Sequence, residues 1–270
     1  GRQTDGDSLH ATVSADGRYA AIPGSPLFVL RWADGKPDVV SSELSTRFLG
    51  IVRISPDGSK LLFTTDQGKT RCEVRESMTS KKTCVLGAKE VNQCNDLGWA
   101  AGGKHIIGLA TMNEKRGAPK SEEKIILWDA ATGQQLQSVV NSTAMDVLAI
   151  SPDGLSFAEA GADRLVRVRD AGTLTVKHEF RVHDDRITTL AWHPKKPILA
   201  TGSADFSVKI WNLETGRCLE EFQGLVGAPN AMSFSPGGTR LACSVAQDGT
   251  HVWEPVCLKE SPAKPESKDK

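Results

Sequence analysis

Short runs of β-forming residues alternate with polar turns along nearly the whole chain. The pattern is clearest at 187–192 (ITTLAW), 198–202 (ILATG), 207–211 (SVKIW) and 218–222 (CLEEF). HPKKP, SADF and LETG separate these runs, and the turn-forming residues in them predict four antiparallel strands joined by hairpins. No segment carries a helical period. A four-stranded sheet cannot bury both faces alone, so neighbouring sheets must stack on it.

The pattern repeats. An apolar residue, a Ser or His, a Pro and a turn rich in Asp and Gly recur as VSADG (13–17), ISPDG (54–58), WAAGG (99–103), ISPDG (150–154), WHPKK (192–196) and FSPGG (234–238). The spacings are 41, 45, 51, 42 and 42 residues. A second phrase follows each copy, as Trp32-Ala33, Arg75-Glu76, Trp128-Asp129, Arg169-Asp170, Trp211-Asn212 and Trp253-Glu254. Repeats of this length imply stacked supersecondary units. The expected fold class is all-β: a β-propeller of four-stranded antiparallel blades, with six repeats detected. The six are either a six-bladed ring or part of a seven-bladed or longer propeller. The propeller is expected over 7–259, with first-strand phrases ending near 13, 54, 99, 150, 192 and 234. Residues 255–260 (PVCLKE) supply a weak fourth strand to the last repeat, and 260–270 read as a disordered charged tail.

These phrases resemble WD40-repeat propellers, in the bacterial style of SPDG…WDAATG repeats, over roughly residues 9 to 257. Repeat five matches best: His183, HPKKPILATGSAD, then VKIWNLETG. The resemblance implies a structural tetrad of His183, Thr201, Asp205 and Trp211, joined by hydrogen bonds. Thr201 and Trp211 lie symmetrically about residue 206, so they are expected to face each other across a hairpin. Their buried polar groups need partners and can supply one another. An Asp-His-Thr catalytic relay is the competing reading of the same residues; the blade clasp is preferred.

Repeat four places Glu159 and Arg169 where repeat five has Thr201 and Trp211. A cross-strand ion pair centred on residue 164 is expected, with Asp163 close by. Arg75 takes the Trp position in repeat two, with Asp66 or Glu73 as partner. Cys72 and Cys84 are equidistant from Met78, so they face each other either as a disulfide or as two reduced thiols. The long loop 112–124 (MNEKRGAPKSEEK) reads as a solvated insertion or a partner contact.

Composition narrows the function. The 33 basic and 33 acidic side chains cancel, which removes the Lys and Arg excess that phosphate-backbone binding needs. No nucleic-acid or membrane partner is expected, since no apolar run approaches a membrane helix. Six cysteines without a C-x-x-C pair, and histidines without ligand spacing, give no metal site. No phosphate loop or nucleophile motif appears, so neither catalytic residues nor cofactors are expected.

The reading is a non-enzymatic scaffold, placed in the cytoplasm with export left open. It would bind a protein or peptide on the propeller rim and central mouth, through Asn95, Asp146, Arg164, Asp184, Arg186, Phe206 and Asn230. A lactonase- or quinoprotein-type propeller enzyme is one alternative, and a sensor module of a larger signalling or effector protein is another.

Overall fold

The structure is a computed structural model and describes residues 12–22, 27–33, 36–44, 51–66, 70–87, 91–112, 122–141 and 145–258. The fold is all-β, of the β-propeller class, built from six successive antiparallel sheets. Two short 3-10 turns, Ala101–Gly103 and Val256–Leu258, are the helical elements among the described residues. None of the described helices is long and apolar enough to cross a membrane. Contacts divide the chain into two compact units, residues 1–187 and 188–270.

The first unit holds four sheets, each with its strands hydrogen-bonded in sequence order. They are Thr12–Val13, Tyr19–Ile22, Leu27–Ala33 and Lys36–Leu44; then Val52–Ile54, Lys60–Asp66, Thr70–Glu76 and Lys82–Val85. The third comprises Val91–Ala100, His105–Met112, Glu123–Asp129 and Gln135–Asn141, and the fourth Met145–Ile150, Ser156–Gly161, Leu165–Asp170 and Val176–Arg181. Alternate residues on each strand point to opposite faces, and both faces of a middle sheet are apolar. Hydrophobic core therefore forms between successive sheets: Leu61 and Phe63 pack with Leu27 and Val29, Val74 with Ile106 and Trp128, and Ile107 with Phe157. Trp128 lies over Gly108, where an added Cβ would stand 2.8 Å from the indole, so only glycine fits beneath the ring.

The second unit contains the fifth and sixth sheets. The fifth begins at the unit boundary with Ile187–Trp192 and continues through Ile198–Ser203, Val208–Asn212 and Arg217–Phe222. Among the described residues the sixth has three strands, Pro229–Phe234, Leu241–Val245 and Gly249–Trp253. Ala200, Ile210, Leu241 and Cys243 form their shared core.

The recurrent SPDG phrase has a local and a longer-range cause. Ser14, Ser55 and Ser151 each donate to the Asp two residues on at 2.6 Å. The same hydroxyls accept the amides of Tyr19, Lys60 and Ser156, closing the hairpin. Turns of adjacent sheets also bond to one another: Ala15 N donates to Pro56 O at 3.0 Å, and Ala101 N to Gly154 O at 2.9 Å. In the second unit His193 Nδ1 accepts the amides of Lys195 and Lys196, which leaves Nε2 to donate to Gly238 O at 3.1 Å. A Cβ on Gly238 would collide with that imidazole.

Three expectations need correction. Trp32 does not occupy the place of Trp211. Its amide donates to Arg18 O, as that of Leu213 donates to Pro197 O, so Leu30 is the residue in the Trp211 place and Trp32 lies two positions later, 40% exposed. The hairpins are centred one residue earlier than symmetry about 164 and 206 implies: Glu159 is opposite Arg167, and Thr201 opposite Lys209. The expected fourth strand at 255–260 is a 3-10 turn at Val256–Leu258. Pro255 has no amide for a ladder, Cys257 N donates to Glu220 Oε2, and Leu258 is buried.

Candidate functional site

Three of the expected binding residues share one structural device. Asp96 pairs with Leu109 and Cys94 with Ala110, which leaves Asn95 as an extra residue in its strand. The same shift isolates Asp146 between Met145 and Val147, and Asn230 between Pro229 and Ala231. A bulge bends its strand and re-aims the unpaired side chain. Asn95 Nδ2 donates to Met145 O at 3.0 Å, on the first strand of the next sheet. In the second unit Thr188 Oγ1 makes the corresponding bond to Pro229 O at 2.6 Å.

In the first unit these bonds assemble a polar patch. Asn95 also approaches Thr111 Oγ1 and Glu123 Oε2, each at 3.4 Å. Thr111 and Glu123 are register partners that flank residues 113–121, and the Thr111 hydroxyl donates to Glu123 Oε1 at 3.0 Å. Arg186 Nε meets Asp146 Oδ2 at 3.0 Å, with the two side chains 54% and 26% exposed. Burial raises the Asp146 carboxyl above its usual range; Arg186 opposes that shift and Asp163 adds to it. Burial likewise raises Glu123, with Thr111 opposing and Asp146 adding. Arg164 O accepts the amide of Val182, which brings that hairpin tip beside the 182–186 segment carrying exposed Asp184 and Arg186. Asn95, Asp146, Arg164, Asp184 and Arg186 thus gather on one end of the first unit.

Phe206 and Asn230 belong to the second unit. Phe206 has a φ of 64° and Arg164 a φ of 67°, left-handed values that disfavour side chains. Both follow an Asp whose carboxylate accepts the amide two residues on, Asp205 to Ser207 and Asp163 to Leu165. The tight turn holds the tip outward, and Phe206 is 49% exposed.

Of the tetrad, Trp211 Nε1 donates to Thr201 Oγ1 at 3.0 Å. Asp205 accepts the Ser207 hydroxyl at 2.7 Å, and His183, in the first unit, is buried. Arg169 Nε donates to Glu159 Oε1 at 2.6 Å, and its Nη1 donates to Leu174 O at 2.8 Å. Asp163 instead binds Arg167, at 2.7 Å. Arg75 bonds Glu73 at 3.0 Å and Ser80 O at 3.2 Å; the Asp66 side chain lies outside the described residues. Cys72 contacts Cys94, not Cys84, because it points between sheets rather than along its hairpin. Among the described residues no group of three His, Cys, Asp or Glu side chains could hold a metal ion. Most of loop 112–124, and the tail 260–270, lie outside the described residues.

Sequence reasoning missed Asp96. It is buried between three first strands, with Oδ1 accepting from Arg53 at 2.8 Å and Oδ2 accepting the Leu148 amide at 2.9 Å. It also missed Thr111 and Glu123, whose pairing depends on where the insertion leaves the strands.

Repeated antiparallel sheets, turn-to-turn docking and the Thr201–Trp211 bond are those of a β-propeller. The family model described as WD domain, G-beta repeat matches residues 174–212 of the chain. It is 34% identical over 98 residues to eukaryotic translation initiation factor 3 subunit I of Pyricularia oryzae, covering 36% of this chain and 28% of that protein. It is 36% identical over 86 residues to WD repeat-containing protein 37 of Mus musculus, covering 31% and 17%. Pre-mRNA-processing factor 19 of Oryza sativa subsp. japonica is 42% identical over 67 residues, covering 25% and 12%. The chain spans less than a third of the length of each of these relatives. They come from a fungus, a mouse and rice, so the bacterial style of the repeats finds no support in them.

Proposed function

We propose that the chain is a non-enzymatic scaffold that binds a protein or peptide at the end of the first unit carrying Asn95, Asp146, Arg164, Asp184 and Arg186. Phe206 and Asn230 supply separate contacts from the second unit. The observation that carries this reading is the Asp146–Arg186 pair. A half-buried carboxylate on a bulge is answered by a guanidinium that remains 54% exposed, so both charges can re-pair with a partner at little cost. Mixed charge of this kind favours specific, salt-sensitive contacts. One relative is named as a subunit of a translation initiation factor, which agrees with assembly into a larger complex. The cytoplasm is the proposed compartment.

Affinity capture from the source cell tests the reading, with wild type compared against Arg186→Glu, Phe206→Ala and a deletion of residues 113–121. Partners retained by wild type and lost from the variants, at unchanged melting temperature, support it. Equal recovery by all four proteins would overturn it.

A further inference from the structure

Cys72 and Cys94 lie in adjacent sheets of the first unit, on Thr70–Glu76 and Val91–Ala100. Their sulfurs are 2.9 Å apart, and both residues are buried within the same apolar cluster, beside Leu62, Val74 and Trp99. Nothing in the established fold requires two thiols here, since an aliphatic pair would fill the space. A tetrahedral thiolate metal site, with metal–sulfur bonds of about 2.3 Å, would hold its sulfurs about 3.7 Å apart. The observed separation is too short for that geometry, and falls between contact and the S–S bond of about 2.05 Å.

We propose that Cys72 and Cys94 are a redox-modification site, at which a small-molecule disulfide oxidant forms a bond between the second and third sheets. In the first step one cysteine, as thiolate, attacks a sulfur of the oxidant, giving a mixed disulfide and releasing one thiolate. In the second step the other cysteine, deprotonated, attacks the protein-bound sulfur and expels the second thiolate. Two protein thiols are oxidised by two electrons, the oxidant is reduced to two thiols, and the two protons end on those thiols.

Access sets the rate. Both side chains are buried, and Leu86, whose amide donates to Cys72 O, belongs to the same apolar cluster. Reaction therefore follows a local opening. The hydrogen bond with Cys94 and burial both hold the Cys72 thiol well above its ordinary range, which slows thiolate formation and makes oxidation faster as pH rises. Exposed Cys218 will meet the oxidant first, but no sulfur partner lies beside it among the described residues. It serves as an internal marker for a mixed disulfide without ring closure.

The experiment is oxidation of the whole chain with oxidised glutathione over a range of pH, followed by denaturation, alkylation and peptide mapping. The expected product is a crosslinked peptide joining Cys72 to Cys94, with neither of those two thiols alkylated and a melting midpoint raised by a few degrees. Cys84→Ser should retain the crosslink and Cys94→Ser should lose it. The wild-type map decides the matter even if Cys94→Ser folds poorly. Alkylation of both Cys72 and Cys94 after exhaustive oxidation, or a crosslink from Cys72 to Cys84, would overturn the proposal.

Discussion

Arg169 donates to Glu159 across a diagonal of two strands, not to the residue directly opposite it. The residue opposite Glu159 is Arg167, which bonds Asp163 and Glu179 instead, at 2.7 and 2.6 Å. Thr201 and Trp211 are related by the same diagonal. The fourth and fifth sheets therefore use one geometry for two chemistries, an ion pair and a hydroxyl–indole bond.

Breaking the ion pair should be costly. The Glu159 side chain is fully buried and that of Arg169 is 10% exposed, so Glu159→Ala leaves a largely buried guanidinium with one fewer partner. The expected loss is about 3–5 kcal/mol, read from the denaturant midpoint. The double substitution Glu159→Thr with Arg169→Trp copies the fifth sheet and should recover most of it. Additive losses in the double variant would show that the two sites are not equivalent.

The arginine sites also constrain their turns. Arg75 and Arg169 each donate to a carbonyl five residues on, at Ser80 and Leu174. Both acceptors are left-handed, with φ of 56° and 59°, where the tryptophan sheets have Gly133 and Gly216. Ser80→Gly should relieve backbone strain and stabilise by about 0.5–1 kcal/mol. Leu174→Gly relieves the same strain but empties a fully buried site, so a net loss of about 2–4 kcal/mol is expected. Thermal melts of the two variants should shift in opposite directions.

What the chain revealed of itself depended on range. The Ser-x-Asp turns act within five residues, so the repeats, the strands and the sheet order were legible. Trp32 misled because a tryptophan marks this repeat elsewhere, whereas Leu30 fills the place in the first sheet. The bulges at Asn95, Asp146 and Asn230 were legible as positions but not as bulges, because strand pairing decides which residue is extra. Asp96, and the approach of Cys72 to Cys94, arise between sheets, where hairpin symmetry carries no information.

Asp96 should be a stability residue. It joins the first strands of the second, third and fourth sheets through Arg53, its neighbour Leu97 N and Leu148 N. Asp96→Ala removes a charge-assisted bond and leaves a buried amide without that acceptor, for an expected loss of about 2–4 kcal/mol. Hydrogen exchange should show the Leu148 amide exchanging faster, and an unchanged rate would contradict the role.

Glu123 predicts a pH effect of definite sign. Burial raises its folded-state carboxyl above the unfolded value. Between those two values the folded state holds more protons than the unfolded state, so this group's contribution falls as pH rises. The penalty is complete above the folded value and absent below the unfolded one. Glu123→Gln keeps an oxygen to accept the Thr111 hydroxyl and removes the charge. The variant should be more stable than wild type at neutral pH, with the difference vanishing as the medium is acidified through the carboxylate range.

Asp170 should behave in the opposite way. Its carboxyl is lowered to about 2, first by the bond to Lys177, then by the Thr173 amide. The unfolded group titrates near 3.8, so the stabilisation is present above that value and is lost as pH falls toward 2. In the fifth sheet Asn212 accepts the amides of Glu214 and Thr215 with a neutral side chain, just as Asp170 accepts those of Gly172 and Thr173. Asp170→Asn should therefore keep the turn and lose only the ion pair with Lys177, whose side chain is 41% exposed. Solvent screening limits that pair to about 1 kcal/mol or less. Melting curves for wild type and variant should differ slightly at neutral pH, converge at high salt, and converge again near pH 2. A large difference that survives salt would mean that the turn, not the charge, had been damaged.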